Sequence, residues 1–206
     1  MVRNLESAKQ EEVSIEAFSR FSEVVLIYQK DNFYHVINRG CNKQKIFFND
    51  QDYKYLFKKM KQTRENYNIE VIAFCLMSNH YHLLLYQISE KPVSDWLKSL
   101  FSGYVQTINR KYKRTGTIFE RSAKPKLITS DEYLVDVIHY IHSNPFKHKI
   151  VNNPEEWKFS SLNEYLGNKN GFVSKRVLES YFHEKWSYQE SFQDYIESKK
   201  YLEFNV

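Results

Sequence analysis

Residues 69–86, IEVIAFCLMSNHYHLLLY, hold two apolar, β-rich runs with only Ser78-Asn79 between them. Each run is too short for a free-standing helix, and a two-residue break of turn-forming residues leaves room only for a reversal. The pair is therefore expected to form an antiparallel hairpin. Leu83, Leu84, Leu85 and Tyr86 read as the buried part of its second strand. The beginning of that strand is odd, because His80 and His82 are two residues apart. Positions i and i+2 of a strand point to one face, so both imidazoles emerge side by side. Paired neutral imidazoles can ligate a divalent cation through one nitrogen each. They can equally be two half-buried core histidines, and spacing alone leaves both readings open.

The hairpin sits in a longer alternation. An apolar run at 24–28 is followed by FYHVI (33–37), a strand that leaves through Asn38-Arg39-Gly40. Asn49-Asp50 can cap a helix over 51–67, with Tyr53, Leu56, Phe57 and Met60 at helical spacing. After the hairpin, Pro92 and Ser94 open a helix to about Lys113, with Gly116 as its stop and a basic last turn. Residues 117–128 read as a basic loop or short hairpin. Ser130 caps a further helix, DEYLVDVIHYIHSN, which Pro145 is expected to end. Leu178, Tyr181, Phe182 and Trp186 mark a helical C-terminal part. The order strand, helix, strand, strand, helix, helix predicts an α+β sandwich with helices covering an antiparallel-rich sheet. Residues 1–24 are taken as an N-terminal extension, 25–165 as the main domain and 166–206 as a C-terminal helical extension.

Cys41 and Cys75 lie far apart without CxxC spacing, so neither a zinc knuckle nor a disulfide framework is expected. With no signal-peptide pattern at the start and no apolar stretch of about 18 residues, a cytoplasmic, non-membrane protein is expected. The net charge of +5 is unevenly placed. Residues 98–126 carry eight Lys or Arg against one acid, Glu120, a stripe suited to a phosphate backbone or to a plain solvated surface. Arg110, Lys111, Arg114, Arg121 and Lys124 are its candidate DNA contacts. Sixteen Tyr and fifteen Phe fit core rims and base-stacking surfaces alike.

A second chemical element lies on the helix after Ser130. Tyr140 and Asn144, four residues apart, share a stripe beside the apolar face of Leu134, Val137, Ile138 and Ile141. Tyr140 then stands at the border of core and solvent, and the Asn144 amide oxygen is a reasonable third ligand for a hard cation such as Mg²⁺. A rim tyrosine and a helix-end cap before Pro145 give the same pattern. Phosphoryl transfer is the chemistry in which the pieces cooperate. A cation on His80, His82 and Asn144 polarises a phosphodiester, and Tyr140 attacks phosphorus. A third histidine at position 84 would suggest the histidine-triad nucleotide hydrolases, but Leu84 stands there.

Four blocks occur in order: FYHVINRGCNKQKIFFNDQDY (33–53), AFCLMSNHYHLLL (73–85), RTGTIFERS (114–122) and YLVDVIHYIHSNP (133–145). Together they resemble the REP-associated tyrosine transposases, single-tyrosine HUH transposases related to insertion sequence 200. The resemblance implies a ferredoxin-like core whose central strand carries a His-x-His pair, here His80 and His82, that binds Mg²⁺ or Mn²⁺. It implies Tyr140 as nucleophile and Asn144 as the polar residue one turn on, where the wider single-tyrosine group usually has Gln. Tyr81, between the histidines, departs from the family's plain hydrophobic residue. Such enzymes nick single-stranded DNA near a hairpin, leaving a 5′-phosphotyrosine and a free 3′-OH. Arg39, Arg114 and Arg121 fall in matching blocks and are expected at phosphates or the hairpin. The resemblance allows a monomer or a homodimer. A binder of hairpin DNA descended from a transposase and a nuclease using water remain as alternatives.

Overall fold

The computed structural model describes residues 28–182 and 185–204. The extension expected over 1–24 lies outside the described residues, as does the run 24–28 except for Tyr28. Strand β1 (Asn32–Arg39) leads to helix α1 (Asp50–Thr63), then β2 (Ile69–Leu76) and β3 (His80–Gln87). Helix α2 (Val93–Tyr112), strand β4 (Lys124–Leu127) and helix α3 (Asp131–Lys147) follow. The sheet order is β2-β3-β1-β4, every pair antiparallel. The crossover from β1 through α1 to β2 leaves one slot, and β3 fills it by turning back at Ser78-Asn79. This is the split βαβ of a ferredoxin-like α+β sandwich.

Register decides which residues share a face. Leu84 pairs with His35, His82 with Ile37 and with Cys75, and His80 with Arg39. One face therefore carries His80, His82, Leu84 and His35, and α3 packs on it through Leu134, Val137, Ile138 and Ile141. The other face carries Tyr34, Val36, Tyr81, Leu83 and Leu85 under α1 and α2, with Trp96, Leu100 and Tyr104. Leu84 is fully buried, which in a core side chain is worth about 1.5–3 kcal/mol. Along one face of β3 the chain thus runs from polar imidazoles into the core. A final helix, α4 (Lys185–Phe204), follows two helical turns, Leu162–Tyr165 and Arg176–Tyr181. Its Tyr188, Phe192 and Ile196 join the core under α3, while the Trp186 side chain lies outside the described residues.

Three local expectations need correction. Helix α2 stops at Lys113, itself in the left-handed region at φ 52°, rather than at Gly116. The 117–128 segment contributes β4, the sheet's fourth strand, where Pro125 is tolerated because this strand is an edge. Pro145 does not end α3 but lies within it. The missing N–H removes one ladder bond, and the chain still winds on because His148 N donates to Asn144 O at 3.0 Å and Ile150 N to Pro145 O at 2.9 Å. The start of α3 is as expected, with Ser130 Oγ accepting from Tyr133 N. Among the described residues no helix is long and apolar enough to cross a membrane.

Candidate metal and tyrosine site

The imidazoles of β3 do not stand alone. His80 and His82 ring centroids are 5.2 Å apart, and the Tyr140 ring on α3 meets His82 edge-on at 5.3 Å. His35, which spacing gave no reason to single out, stacks on His82 at 5.4 Å. Finding it required the β1–β3 register, which no pattern within one strand reveals. His148, eight residues past Tyr140, comes within 5.2 Å of His80. His80, His82, Tyr140 and His148 border a cavity of about 790 Å³ that is also lined by Arg39, Lys43 and Arg121. The lysine is brought there by the loop after β1, which wraps the hairpin turn: Gly40 N donates to Asn79 O and Ile46 N to Ser78 O, both at 2.8 Å. Gly40 is needed in that loop, since a Cβ there would lie 2.1 Å from Gln44 O.

Each β3 histidine is held by one nitrogen and free at the other. His80 Nδ1 lies 2.7 Å from Asn79 Oδ1, and His82 Nδ1 lies 3.1 Å from His35 Nε2. Both Nε2 atoms are left for a ligand, the arrangement by which outer partners fix metal-binding imidazoles. Asn144 is fully buried, its Nδ2 donating to Tyr140 O at 2.7 Å. That bond occupies the amide nitrogen, and Oδ1 has no hydrogen-bond partner. Both imidazoles feel this oxygen as an acceptor, yet neither closes a hydrogen bond of normal geometry with it. Burying a lone amide oxygen costs about 1–3 kcal/mol, so a cation shared with the two Nε2 atoms fits the vacancy in its bonding. Among the described residues no three His, Cys, Asp or Glu side chains gather as a metal group. The third donor available is the amide.

Burial dominates the electrostatics. It pushes His35 and His80 down to about 4, helped by Lys126 beside the first and His148 beside the second. It holds His82 well below the usual imidazole value, with His35, His80 and His148 adding to the effect. All three imidazoles are thus neutral at pH 7, the form in which His80 and His82 can ligate a cation. The unfolded chain, with imidazoles near 6.5, takes up more protons than the folded one between about pH 6.5 and 4. The corresponding stability is present above 6.5 and lost as pH falls through that window. Thermal melts in EDTA are expected to show Tm declining from pH 6.5 to 4.5, and a flat profile there would contradict the burial of these rings.

Two cations act on Tyr140 and its surroundings. Lys147 Nζ lies 5.2 Å from the Tyr140 ring centroid. Arg39 is engaged by Glu120, its Nη2 donating to Oε1 at 3.2 Å. Of the other basic candidates, Arg121 lines the cavity, whereas Arg110, Lys111 and Arg114 do not. Lys111 is an ion-pair partner of Asp52 at 2.6 Å in the α1 cap, and Arg114 lies over the Phe48 ring at 5.3 Å. Lys124 pairs with Ile37 in β4, and its side chain lies outside the described residues.

Behind the site, His142 anchors the tyrosine helix. It is fully buried, with Nδ1 on Tyr188 Oη and Nε2 2.7 Å from Ser161 Oγ. Ser161 Oγ in turn accepts from Phe74 N at 2.8 Å, so the His142 imidazole ties α3 to β2 through Ser161 and to α4 through Tyr188. His142→Phe leaves the buried Tyr188 hydroxyl without a partner, while Ser161 Oγ keeps the Phe74 N–H and carbonyl, and is expected to destabilise the fold by about 1–3 kcal/mol, read by urea melts.

With this geometry in place, similarity to known proteins is informative. A family model described as Transposase IS200 like matches residues 28–144, more than half of the chain. The chain belongs to that family. The matched stretch reaches from β1 to Asn144 and so contains His35, His80, His82, Tyr140 and Asn144 together. A Haemophilus influenzae protein named "Putative REP-associated tyrosine transposase" is 30% identical over 116 residues, half of this chain and 64% of its own length. This chain therefore spans less than two thirds of that relative. A solved REP-associated tyrosine transposase bound to a REP hairpin superposes with a TM-score of 0.59 at 15% identity. It covers 71% of this chain and 90% of that one, so the two share a fold.

Proposed function

We propose that this IS200-like transposase cleaves and rejoins single-stranded DNA beside a hairpin, with Tyr140 as nucleophile, in DNA transposition. The observation that carries the reading is that Tyr140 and two imidazoles with free Nε2 atoms line one cavity, with the orphaned Asn144 oxygen buried beside both imidazoles. The names of its relatives point the same way, and the hairpin ligand is taken over from the solved relative.

A divalent cation, Mg²⁺ or Mn²⁺, held by His80, His82 and Asn144 would supply a Lewis acid at the scissile phosphate. The rest is done by the chain. Arg39, Lys43 and Arg121 draw the phosphate backbone into the cavity. Packing of α3 on the sheet fixes the Tyr140 ring against His82, so its hydroxyl meets phosphorus without a search. The phenol oxygen bonds to phosphorus as its proton passes to water, which returns one to the departing 3′ oxygen. The P–O3′ bond breaks, and the 3′ oxygen leaves as a hydroxyl. The 5′-phosphotyrosine keeps the bond energy for rejoining. Since Tyr140 faces histidines of its own chain, the arrangement supports a site assembled in cis, compatible with a monomer.

The test is covalent trapping. Labelled oligonucleotides carrying hairpins from the DNA flanking the chain's own gene, incubated with Mn²⁺, should yield a protein–DNA band on a denaturing gel. Cleavage without a band would indicate a water-using nuclease, and binding without cleavage a descendant that only grips DNA. Lys147, over the Tyr140 ring, should matter to the step and little to the fold. Lys147→Met is expected to slow adduct formation about two- to fivefold, the worth of one exposed cation–π contact, with Tm unchanged.

A further inference from the structure

The cavity that gathers cations for a phosphate backbone also holds a carboxylate. Among the described residues that line it, Glu120 is the one acid, standing with Arg39, Lys43, Arg121 and the imidazoles. It is also the one acid in the basic stretch 98–126. Its carboxyl is held below the usual carboxylate range by the hydrogen bonding it accepts from Arg39, and Arg121 and Lys43 add their charges. An acid at this place repels the DNA that its neighbours attract, so its contribution has to lie in something other than affinity.

Arg39 and His80 are directly paired across β1 and β3, so both side chains rise from one face of the sheet. Glu120 takes two N–H groups of the guanidinium, Nε donating to Oε2 and Nη2 to Oε1. Three of the five N–H groups, the Nη1 pair and one on Nη2, are left over. The backbone of the acid is fixed to the same strand. Glu120 N donates to Arg39 O at 3.0 Å, Cys41 N to Ile118 O at 2.9 Å, and Asn38 Nδ2 to Arg121 O at 2.8 Å. A long, rotamer-rich arginine is thereby held in one orientation, with one edge on the acid and the other unspent. Both side chains are partly solvated, so the pair adds little to stability, and orientation is what it supplies.

We propose that Glu120 is a positioning residue for strand cleavage: it fixes Arg39 so that the unspent guanidinium edge meets the scissile phosphate beside His80, at a cost in DNA affinity. An aimed guanidinium stabilises the charge on the phosphate under attack, whereas a free one holds bound DNA in unproductive poses as well. Removing the acid therefore separates two quantities: binding improves while the step slows. A carboxylate that only repelled DNA would behave otherwise, since its loss would improve binding and leave the step no slower. The inference rests on the strand-transfer reading for its reaction, and it adds a residue that acts through Arg39 rather than on the DNA.

The full-length chain is titrated in EDTA against the hairpin oligonucleotides of the trapping assay, and adduct formation is then followed with Mn²⁺ at saturating DNA. Glu120→Ala should bind about two- to fivefold more tightly at low salt. Its log–log salt slope should steepen by about 0.7, the share of one more cation on single-stranded phosphate. Its rate of adduct formation at saturation should fall about tenfold, with Tm unchanged, as for an exposed ion pair. Glu120→Gln loses the same charge but keeps an oxygen that accepts one N–H, so it should bind like Glu120→Ala and cleave at an intermediate rate. In an Arg39→Met background, loss of Glu120 should slow the step no further. Unchanged or faster adduct formation in Glu120→Ala overturns the inference, as does weaker DNA binding or a further slowing without Arg39. If the wild type binds hairpins and never forms an adduct, the strand-transfer reading falls, and the salt slope still reports whether Glu120 restrains Arg39. If the wild type forms adducts and Glu120→Ala matches its rate, only the positioning role falls.

Discussion

Tyr140→Phe should abolish the covalent protein–DNA band, lowering strand cleavage by at least about three orders of magnitude, as expected when the nucleophile of a covalent mechanism is removed. Binding of the hairpin should be unchanged within about twofold, because the lost hydroxyl is not among the charges that hold the backbone. The fold should be unchanged too. Among the described residues the Tyr140 hydroxyl has no hydrogen-bond partner, while its ring packs on His35 and His82 and its carbonyl takes the Asn144 amide. Phe keeps the ring and the carbonyl. A variant that still cleaves with Mn²⁺ would move the nucleophile elsewhere, and among the described residues no other tyrosine lines the same cavity.

Legibility in the sequence followed the range of the forces involved. The β2–β3 hairpin was readable because its turn and its apolar runs are local, and the Ser130 cap because it acts within one helical turn. The His80–His82 pair was readable as a pair for the same reason, through strand period alone. His35 was not, because its place beside His82 depends on which strand slots between β1 and β2. Strand β4, KPKL, carries a proline and two lysines and has no β signature. It is a strand because β1 offers an unpaired edge. Lys111 looked like part of a basic stripe and is an ion-pair partner of Asp52, which only the α1–α2 packing reveals. Tyr81 was opaque as long as it was read with its neighbours. Odd and even residues of β3 belong to different cores, and Tyr81 belongs to the one under α2.

His82→Ala should cost the protein its cation. With His82 Nδ1 held by His35, the Nε2 atom is the one left for the cation, and two donors, His80 and Asn144, remain after its loss. Mn²⁺ affinity, followed by calorimetry or by the Mn²⁺ spin-resonance signal, is expected to fall at least about a hundredfold, and cleavage with it. His35→Ala, which removes only the outer partner, should fall about tenfold, the lower end of what such partners contribute. The pair of variants separates ligation from packing, since both delete a histidine from the same stack. In the wild type, Mn²⁺ should be held more tightly than Mg²⁺, because two imidazole nitrogens suit the softer ion and only one amide oxygen suits the harder. The apo protein sharpens the point. His82 is nearly fully buried, so its loss also leaves a cavity, and apo Tm should fall in His82→Ala whether or not metal binds. What distinguishes the ligand role is the metal-dependent rise in Tm, which the wild type should show and His82→Ala should lack. Equal Mn²⁺ binding by both would place the cation away from β3, and the buried Asn144 oxygen would then be an uncompensated cost with no function to explain it.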